Sequence, residues 1–337
     1  MSKTSSESVI PQKRPSNVVW ALGAALFTTF LWSTSYVAIK IGLEQEKIPP
    51  LSFAALRYLV GFLILGTIWY VRKDNIRSKT DSRIPQQVLI LIAIMGIAGY
   101  SLEPGLRYMG MAPEVGKLPA LHSAFISNFN PAIVLLLGLV IYVALPNSKQ
   151  ILGLILALVG AYIYFIMMPG SGGGINSSEG WGIILTVGSG FAWATYQILT
   201  KHLTQKTDVF FQTTLAMGVG SVFLLSLALT IEGWPTLSLN LVILVVLLGT
   251  FNTALAYLLW NYAMKYLGTF EATMLQNSML IQIAILSILF LDQRLYLNMI
   301  LGILLVLMGV FLVQIESLRG NAVRESQPLV VSRKTFG

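Results

Sequence analysis

The sequence predicts an all-α integral membrane protein in which ten transmembrane helices form two inverted five-helix repeats. Composition is the first observation behind that reading. Hydrophobic residues make up 55% of the 337 and charged residues only 11%, with a mean hydropathy of +0.74, whereas a soluble chain carries about 25% charged residues. Segregation is the second. The charges cluster in short segments between apolar runs, and about 20 apolar residues cross a bilayer as a helix. Hydrocarbon leaves helices and closed barrels as the only spanning forms, because backbone N–H and C=O groups must be paired internally. The third is an echo along the chain: LGLILALVG (152–160) returns as LGILLVLMG (301–309).

Taken in order, spans are expected at 17–39, 51–71, 87–109, 119–145, 149–168, 180–200, 209–231, 239–264, 270–291 and 295–315. The first follows Lys13 and Arg14, but its uncharged run is longer than a signal-peptide core and no small-x-small exit follows, so it is read as an uncleaved span. The chain therefore divides into a cytoplasmic tail (1–16), a first repeat (17–168), a Gly/Ser linker (169–179), a second repeat (180–315) and a second cytoplasmic tail (316–337).

Orientation comes from the Lys and Arg residues, which favour cytoplasmic loops. With the N-terminus inside, alternate loops put 16 of them on the inner side and six, including Lys40, Arg57 and Arg107, outside or at outer helix ends. A multi-pass protein of the plasma (inner) membrane with both termini cytoplasmic is expected. The net charge of +8 is thus read as topology rather than as a nucleic-acid signal. The chain has no cysteine, which excludes disulfides.

The echo extends over the whole chain. FLWSTSYVAIK (30–40) matches FAWATYQILTK (191–201), LRYM (106–109) matches MKYL (264–267), and HSAFISN (122–128) matches EATMLQN (271–277). The offset falls from 158 to 149 between the last two pairs, so the first half carries nine extra residues around APEVGKLP (112–119). Five helices per half, an odd number, turn the second half upside down. Inverted repeats of this kind characterise secondary transporters that rock one half against the other around a midplane site.

FLWSTSYVAIKIGL, PPLSFAALRYLVG, GFAWATYQILTKHL, ALAYLLWNYAMKYLG and LFLDQRLYLNMILGILLVLMG resemble the EamA-type branch of the drug/metabolite transporter superfamily, over nearly all of 18–315. The resemblance implies ten helices with cytoplasmic termini, a central cavity built from the first four helices of each half, and supporting fifth and tenth helices. Ser33 stands where that family usually has Gly, and the family's mid-helix proline is present as Pro131 but is Leu280 in the second half.

Several residues are candidates for solute contact. Trp32, Tyr36 and Lys40 share one helix face, and their repeats are Trp193, Gln197 and Lys201. They form either aromatic–polar cavity walls with a cation at each mouth, or interface packing with lysines snorkelling to headgroups. Asn128 and Asn277 are equivalent, with Ser127 and Gln276 beside them; amides in hydrocarbon face protein or a water-filled space, as solute ligands or as interhelical glue. Pro131 removes a backbone bond nearby and marks a hinge. Glu103 is either a proton carrier or the i,i+4 partner of Arg107, and its repeat is Asn261. Tyr100, Tyr196, Tyr257 and Trp260 complete an aromatic inventory suited to stacking. Arg57 is read as structural.

The function expected is alternating-access export of small polar or amphipathic organic metabolites, foremost amino acids or related compounds. Proton-coupled efflux of drug-like cations is the alternative within transport. A solute channel or an intramembrane enzyme is the alternative outside it. With only His122 and His202, no metal-ligand cluster and no nucleophile motif, the sequence offers no catalytic residue, metal or cofactor. Expected partners are a small-molecule solute and membrane lipid, not nucleic acid, and homo-oligomerisation is left open.

Overall fold

A computed structural model describes residues 15–77, 84–127, 129, 133, 147–166, 177–204, 206–267 and 269–326. Among them every regular element is helical. The chain enters through α1 (Pro15–Glu44) and α2 (Pro50–Arg77). Proline opens both, where its missing N–H costs no helical bond. Helix α3 (Gln86–Ile97) runs through a π-helical segment (Ala98–Leu102) directly into α4 (Glu103–Met111). Next come α5 (Ala120–Ser127), α6 (Ser148–Ile166), α7 (Ser177–Leu203) and α8 (Val209–Ile231). Helix α9 (Leu239–Leu247) passes through a second π segment (Leu248–Leu255) into α10 (Ala256–Tyr266), and α11 (Thr269–Leu291) and α12 (Leu297–Ser326) complete the chain. Asp208 and Ser238 cap α8 and α9, accepting from Phe211 N at 3.0 Å and Leu241 N at 3.1 Å.

Six of these helical paths are long and apolar enough to cross a membrane, and three shorter apolar helices lie at Ser148–Tyr164, Leu275–Leu291 and Leu297–Leu312. These nine coincide with nine of the ten expected spans. The remaining one, 119–145, is described over α5 and at Phe129 and Ile133 only, so Asn128 and the hinge at Pro131 lie outside the described residues. Large apolar side chains face outward along the spans, among them Phe30, Ile184, Ile285 and Phe290. That is the surface a multi-pass membrane protein gives to lipid.

Packing follows from small residues as much as large ones, because in lipid close backbone approach drives helix association. The opening echo is such an interface. Helices α6 and α12 pack on one another, antiparallel, with Gly160 against the Gly302 carbonyl and Gly309 against the Gly153 carbonyl. A Cβ on Gly302 would stand 2.7 Å from Gly160 O, so no larger residue fits. The leucines of the same echo, Leu152, Leu158 and Leu301, point outward. Helix α2 packs along α8 and the second π segment, α1 against α10 and α11, and α7 against α3, α4 and α5.

The nine extra residues form a tight turn rather than a floppy insert. Leu118 N donates to Gly110 O at 3.0 Å, Lys117 N to Ala112 O at 2.9 Å, and Lys117 adopts φ 56°. Lys40 closes the turn from beneath, donating to Met111 O at 3.0 Å and Leu118 O at 3.2 Å, with Glu44 at 3.0 Å. Of the two readings of Lys40, the one in which it snorkels to the headgroups is therefore corrected. Its ammonium is buried, because three oxygens of the protein replace water.

Candidate functional site

Two π segments set the geometry of the interior. A π-helical turn shifts the i→i+4 ladder and leaves carbonyls available to side chains, which is why such turns recur at functional sites. The second segment exposes Asn252 O to the Arg57 guanidinium at 2.9 Å. Arg57 also donates to Thr253 Oγ1 at 2.7 Å and Tyr108 OH at 2.8 Å, and it is 1% exposed. Asn252 in turn donates through Nδ2 to the Leu31 carbonyl and, at 3.0 Å, to Thr34 Oγ1, tying this segment to α1.

Between α1, α2, α4, α5, α7, α10 and α11 lies a polar cavity of about 60 Å³, room for a few waters. One wall is aromatic. Trp32 meets Trp193 edge-on at 5.4 Å and Tyr257 at 5.2 Å, while Tyr58 OH and Tyr257 OH share a hydrogen bond of 2.9 Å. Charged groups share the lining. Arg107 Nε lies 2.8 Å from Glu103 Oε1, and its guanidinium stacks 4.9 Å over the Tyr36 ring. Tyr36 OH donates to Ser127 Oγ at 3.2 Å. Gln276, Asn277, Ser35 and Ser189 add amides and hydroxyls to the lining. The Trp193 indole N–H, on a side chain only 5% exposed, has no acceptor among the described residues. Such a donor costs free energy unless something in the cavity accepts from it.

Of the residues singled out from the sequence, Trp32, Tyr36, Glu103, Trp193, Tyr257, Gln276 and Asn277 line this one space. Four others stand behind that lining. Tyr100 OH is bonded to Tyr196 OH at 3.2 Å; Tyr196 donates to Asn261 Oδ1 at 2.8 Å, and Asn261 Nδ2 donates to Thr213 Oγ1 at 2.8 Å. Gln197 Nε2 donates to Gln276 Oε1 at 2.9 Å and so orients a lining amide. Asn128 belongs to the residues that are not described. The sequence reading passed over Arg57 and Arg107 as cavity groups, although the structure puts both guanidiniums on the lining beside Glu103. The signal was available: an arginine within an apolar span is costly unless it is buried against partners or faces water.

Ser33, the departure from the family's usual glycine, lies against Thr29 O at 2.7 Å and Gln282 Oε1 at 3.0 Å, so the extra hydroxyl joins α1 to α11. No cluster of three or more His, Cys, Asp or Glu with metal-binding geometry occurs among the described residues.

Comparison with known proteins agrees with this architecture. The chain is 27% identical over 299 residues, 86% of its own length and 90% of the other's, to an uncharacterized transporter of Bacillus subtilis, YvbV. It is 26% identical over 260 residues (77% of this chain and 80% of the other) to a probable terminal-alkyne amino-acid exporter of Streptantibioticus cattleyicolor. A solved crystal structure superposes with a TM-score of 0.61 at 15% identity, covering 91% of this chain and 98% of its own, which speaks for the fold alone. The EamA-like transporter family matches residues 18–166 and 180–315. With those two matches accounting for nearly every helix, the chain belongs to the EamA-like transporter family of the drug/metabolite transporter superfamily.

Proposed function

We propose that this protein is an alternating-access secondary transporter that exports zwitterionic solutes of amino-acid type across the plasma membrane. The observation that carries the reading is the cavity lining: two guanidiniums, Arg57 and Arg107, one carboxylate, Glu103, and an aromatic wall. A solute carboxylate pairs with Arg107 through charge-assisted hydrogen bonds. Its ammonium pairs with Glu103 or lies over the faces of Trp32 and Tyr257, and Trp193 supplies a further donor. A lone organic cation would meet a lining of net positive charge, which disfavours drug-cation efflux. The Streptantibioticus relative, described as a probable terminal-alkyne amino-acid exporter, points the same way for that protein.

Alternating access by inverted repeats is supported by the pattern of contacts. The pairs Gly160–Gly302 and Gly153–Gly309 exchange equivalent positions between antiparallel helices, as a twofold relation requires. Lys201 donates to Met264 O and Leu267 O, both at 3.2 Å, as Lys40 does to Met111 O and Leu118 O. Cytoplasmic termini, in this reading, rest on the 16-to-6 split of basic residues. Transport is facilitated rather than proton-driven, since Glu103 is held by a guanidinium at 2.8 Å.

Counterflow in proteoliposomes tests the reading, with a labelled neutral aromatic amino acid competed by the free amino acid, its methyl ester and its decarboxylated amine. The ester and the amine should each compete about tenfold less well, the loss of one charge-assisted bond. Glu103→Gln should weaken the parent while leaving the ester-to-amine order unchanged. Equal or better competition by the amine would return the assignment to cation efflux.

A further inference from the structure

Around the polar cavity, the neutral hydrogen-bonding groups divide into those the protein engages and those it does not. The division follows the two halves of the chain. On the first half the partners lie within the protein. Ser35 Oγ donates to Trp32 O at 2.7 Å, Ser127 Oγ to Ser123 O at 2.9 Å, and Tyr36 OH to Ser127 Oγ at 3.2 Å. A solute meets charge on that side, at Glu103 and Arg107, but no idle neutral donor.

On the second half the donors are idle. Helix α7 contributes Trp193 to the lining, and α11 contributes Gln276 and Asn277. The Trp193 indole N–H is buried with no acceptor among the described residues. Gln276 Oε1 accepts from Gln197 Nε2 at 2.9 Å, which fixes the amide and leaves Gln276 Nε2 without an acceptor among the described residues. Asn277, only 8% exposed, forms no hydrogen bond among them. Ser189 alone is engaged, donating to Thr186 O at 2.8 Å.

An indole N–H can only donate, and so can an amide nitrogen. Two such groups on one small cavity call for an acceptor oxygen, because a buried donor left unmade is costly. Charge narrows the kind of oxygen. No Lys or Arg of the second half lines the cavity among the described residues. A second carboxylate placed there would lose its water without gaining a counter-ion, whereas a neutral carbonyl gives up far less.

We propose that Trp193 and Gln276, with Asn277 beside them, form a subsite for an uncharged carbonyl oxygen at the distal end of the solute side chain. The inference rests on the zwitterion reading: Glu103 and Arg107 hold the ammonium and carboxylate, and the side chain runs from them towards α7 and α11. The preferred solutes are then amino acids whose side chains end in an amide, ketone or ester, rather than in an alkyl group or a second acid.

Norleucine and 5-oxonorleucine differ only by a methylene replaced with a carbonyl, so the pair isolates that oxygen. Both free acids and both methyl esters are titrated against the full-length protein in detergent, with thermal stabilisation giving relative affinities. The oxo compound should bind about tenfold more tightly than its partner in each pair, the effect of one to two hydrogen bonds. Trp193→Phe, which keeps the ring and removes the N–H, and Gln276→Leu should each cut that ratio to about threefold or less. An oxo-to-methylene ratio near one in the unaltered protein would overturn the subsite, and a loss from acid to ester in the same data would leave the zwitterion reading standing. A tenfold ratio without any loss from acid to ester would do the reverse. A ratio that survives both substitutions would overturn the assignment to Trp193 and Gln276. Stabilisation by none of the four solutes would overturn both proposals together.

Discussion

Glu103 and Asn261 hold the same place in the sequence repeat, as do Arg107 and Lys265, yet the two pairs occupy opposite settings. Glu103 and Arg107 are both buried, joined at 2.8 Å, and line the cavity. Asn261 is buried behind the cavity in a neutral network with Tyr196 and Thr213, and Lys265 is exposed beside the Tyr266 ring at 5.8 Å. The lysines Lys40 and Lys201, by contrast, make the same kind of bond in both halves, each to a pair of carbonyls at the end of a neighbouring helix. Repetition has kept the scaffold and let the chemistry diverge. Fixed charge at the cavity is thus concentrated in the first half.

The largest expected effect tests that asymmetry directly. Arg107→Leu leaves the Glu103 carboxylate buried without its partner, a loss of about 3–5 kcal/mol. Thermal unfolding in detergent should register it as a steep drop, with counterflow lost in whatever protein folds. Lys265→Leu, at the equivalent position, removes an exposed charge and should stay within about 0.5 kcal/mol. Comparable destabilisation by the two changes would mean that the halves are chemically equivalent after all.

The scaffold was legible in the sequence because its signals are local. Apolar run length and the Gly153/Gly160 echo in Gly302/Gly309 each depend on near neighbours or on a repeat that can be read by eye. The cavity was legible in part. Trp32 and Trp193 were found because the repeat pairs them, and they do meet. The π segments were not foreseen, since nothing in AGYSL or LGTFNTAL departs from ordinary helical composition. Without them the Asn252 carbonyl has no reason to be free, and Arg57 was read only as structural, with no sign of the acceptors it would find. Lys40 was misjudged for a related reason: its acceptors, Met111 O and Leu118 O, lie on a turn whose shape depends on backbone bonds rather than on side-chain pattern.

A middle-sized effect separates the two lysines. Lys40 is buried and meets two carbonyls at 3.0 and 3.2 Å, while Lys201 is half-buried and meets two carbonyls at 3.2 Å, so the contrast lies in burial. Hydrogen bonds to charged groups contribute about 1.5–3 kcal/mol each when buried, so Lys40→Met should destabilise by roughly that amount and loosen the 112–119 turn. Proteolysis within that turn is a sensitive readout. Lys201→Met should cost less and leave the turn protected. A reversed order would show that the insertion is held by its own backbone bonds rather than by Lys40.

The smallest effect concerns how the halves are joined away from the cavity. Glu232, just after α8, accepts from Leu51 N at 2.9 Å, Ser52 N at 2.7 Å and Ser52 Oγ at 2.8 Å, so a carboxylate of the second half caps α2 of the first. Asp208, at the other end of α8, caps its own helix. Both carboxylates meet a helix N-terminus and its dipole, and each is expected to contribute about 1 kcal/mol. The two bonds differ in what they connect. In the proposed alternating access, rocking of one half against the other would stretch or break the Glu232 contacts, whereas the Asp208 cap would travel with its helix. Glu232→Ala and Asp208→Ala should therefore lower thermal stability by similar small amounts, while only Glu232→Ala changes the counterflow rate at saturating solute. Equal rates in the two variants would mean that the α2–α8 junction moves as one body, and that the halves pivot elsewhere.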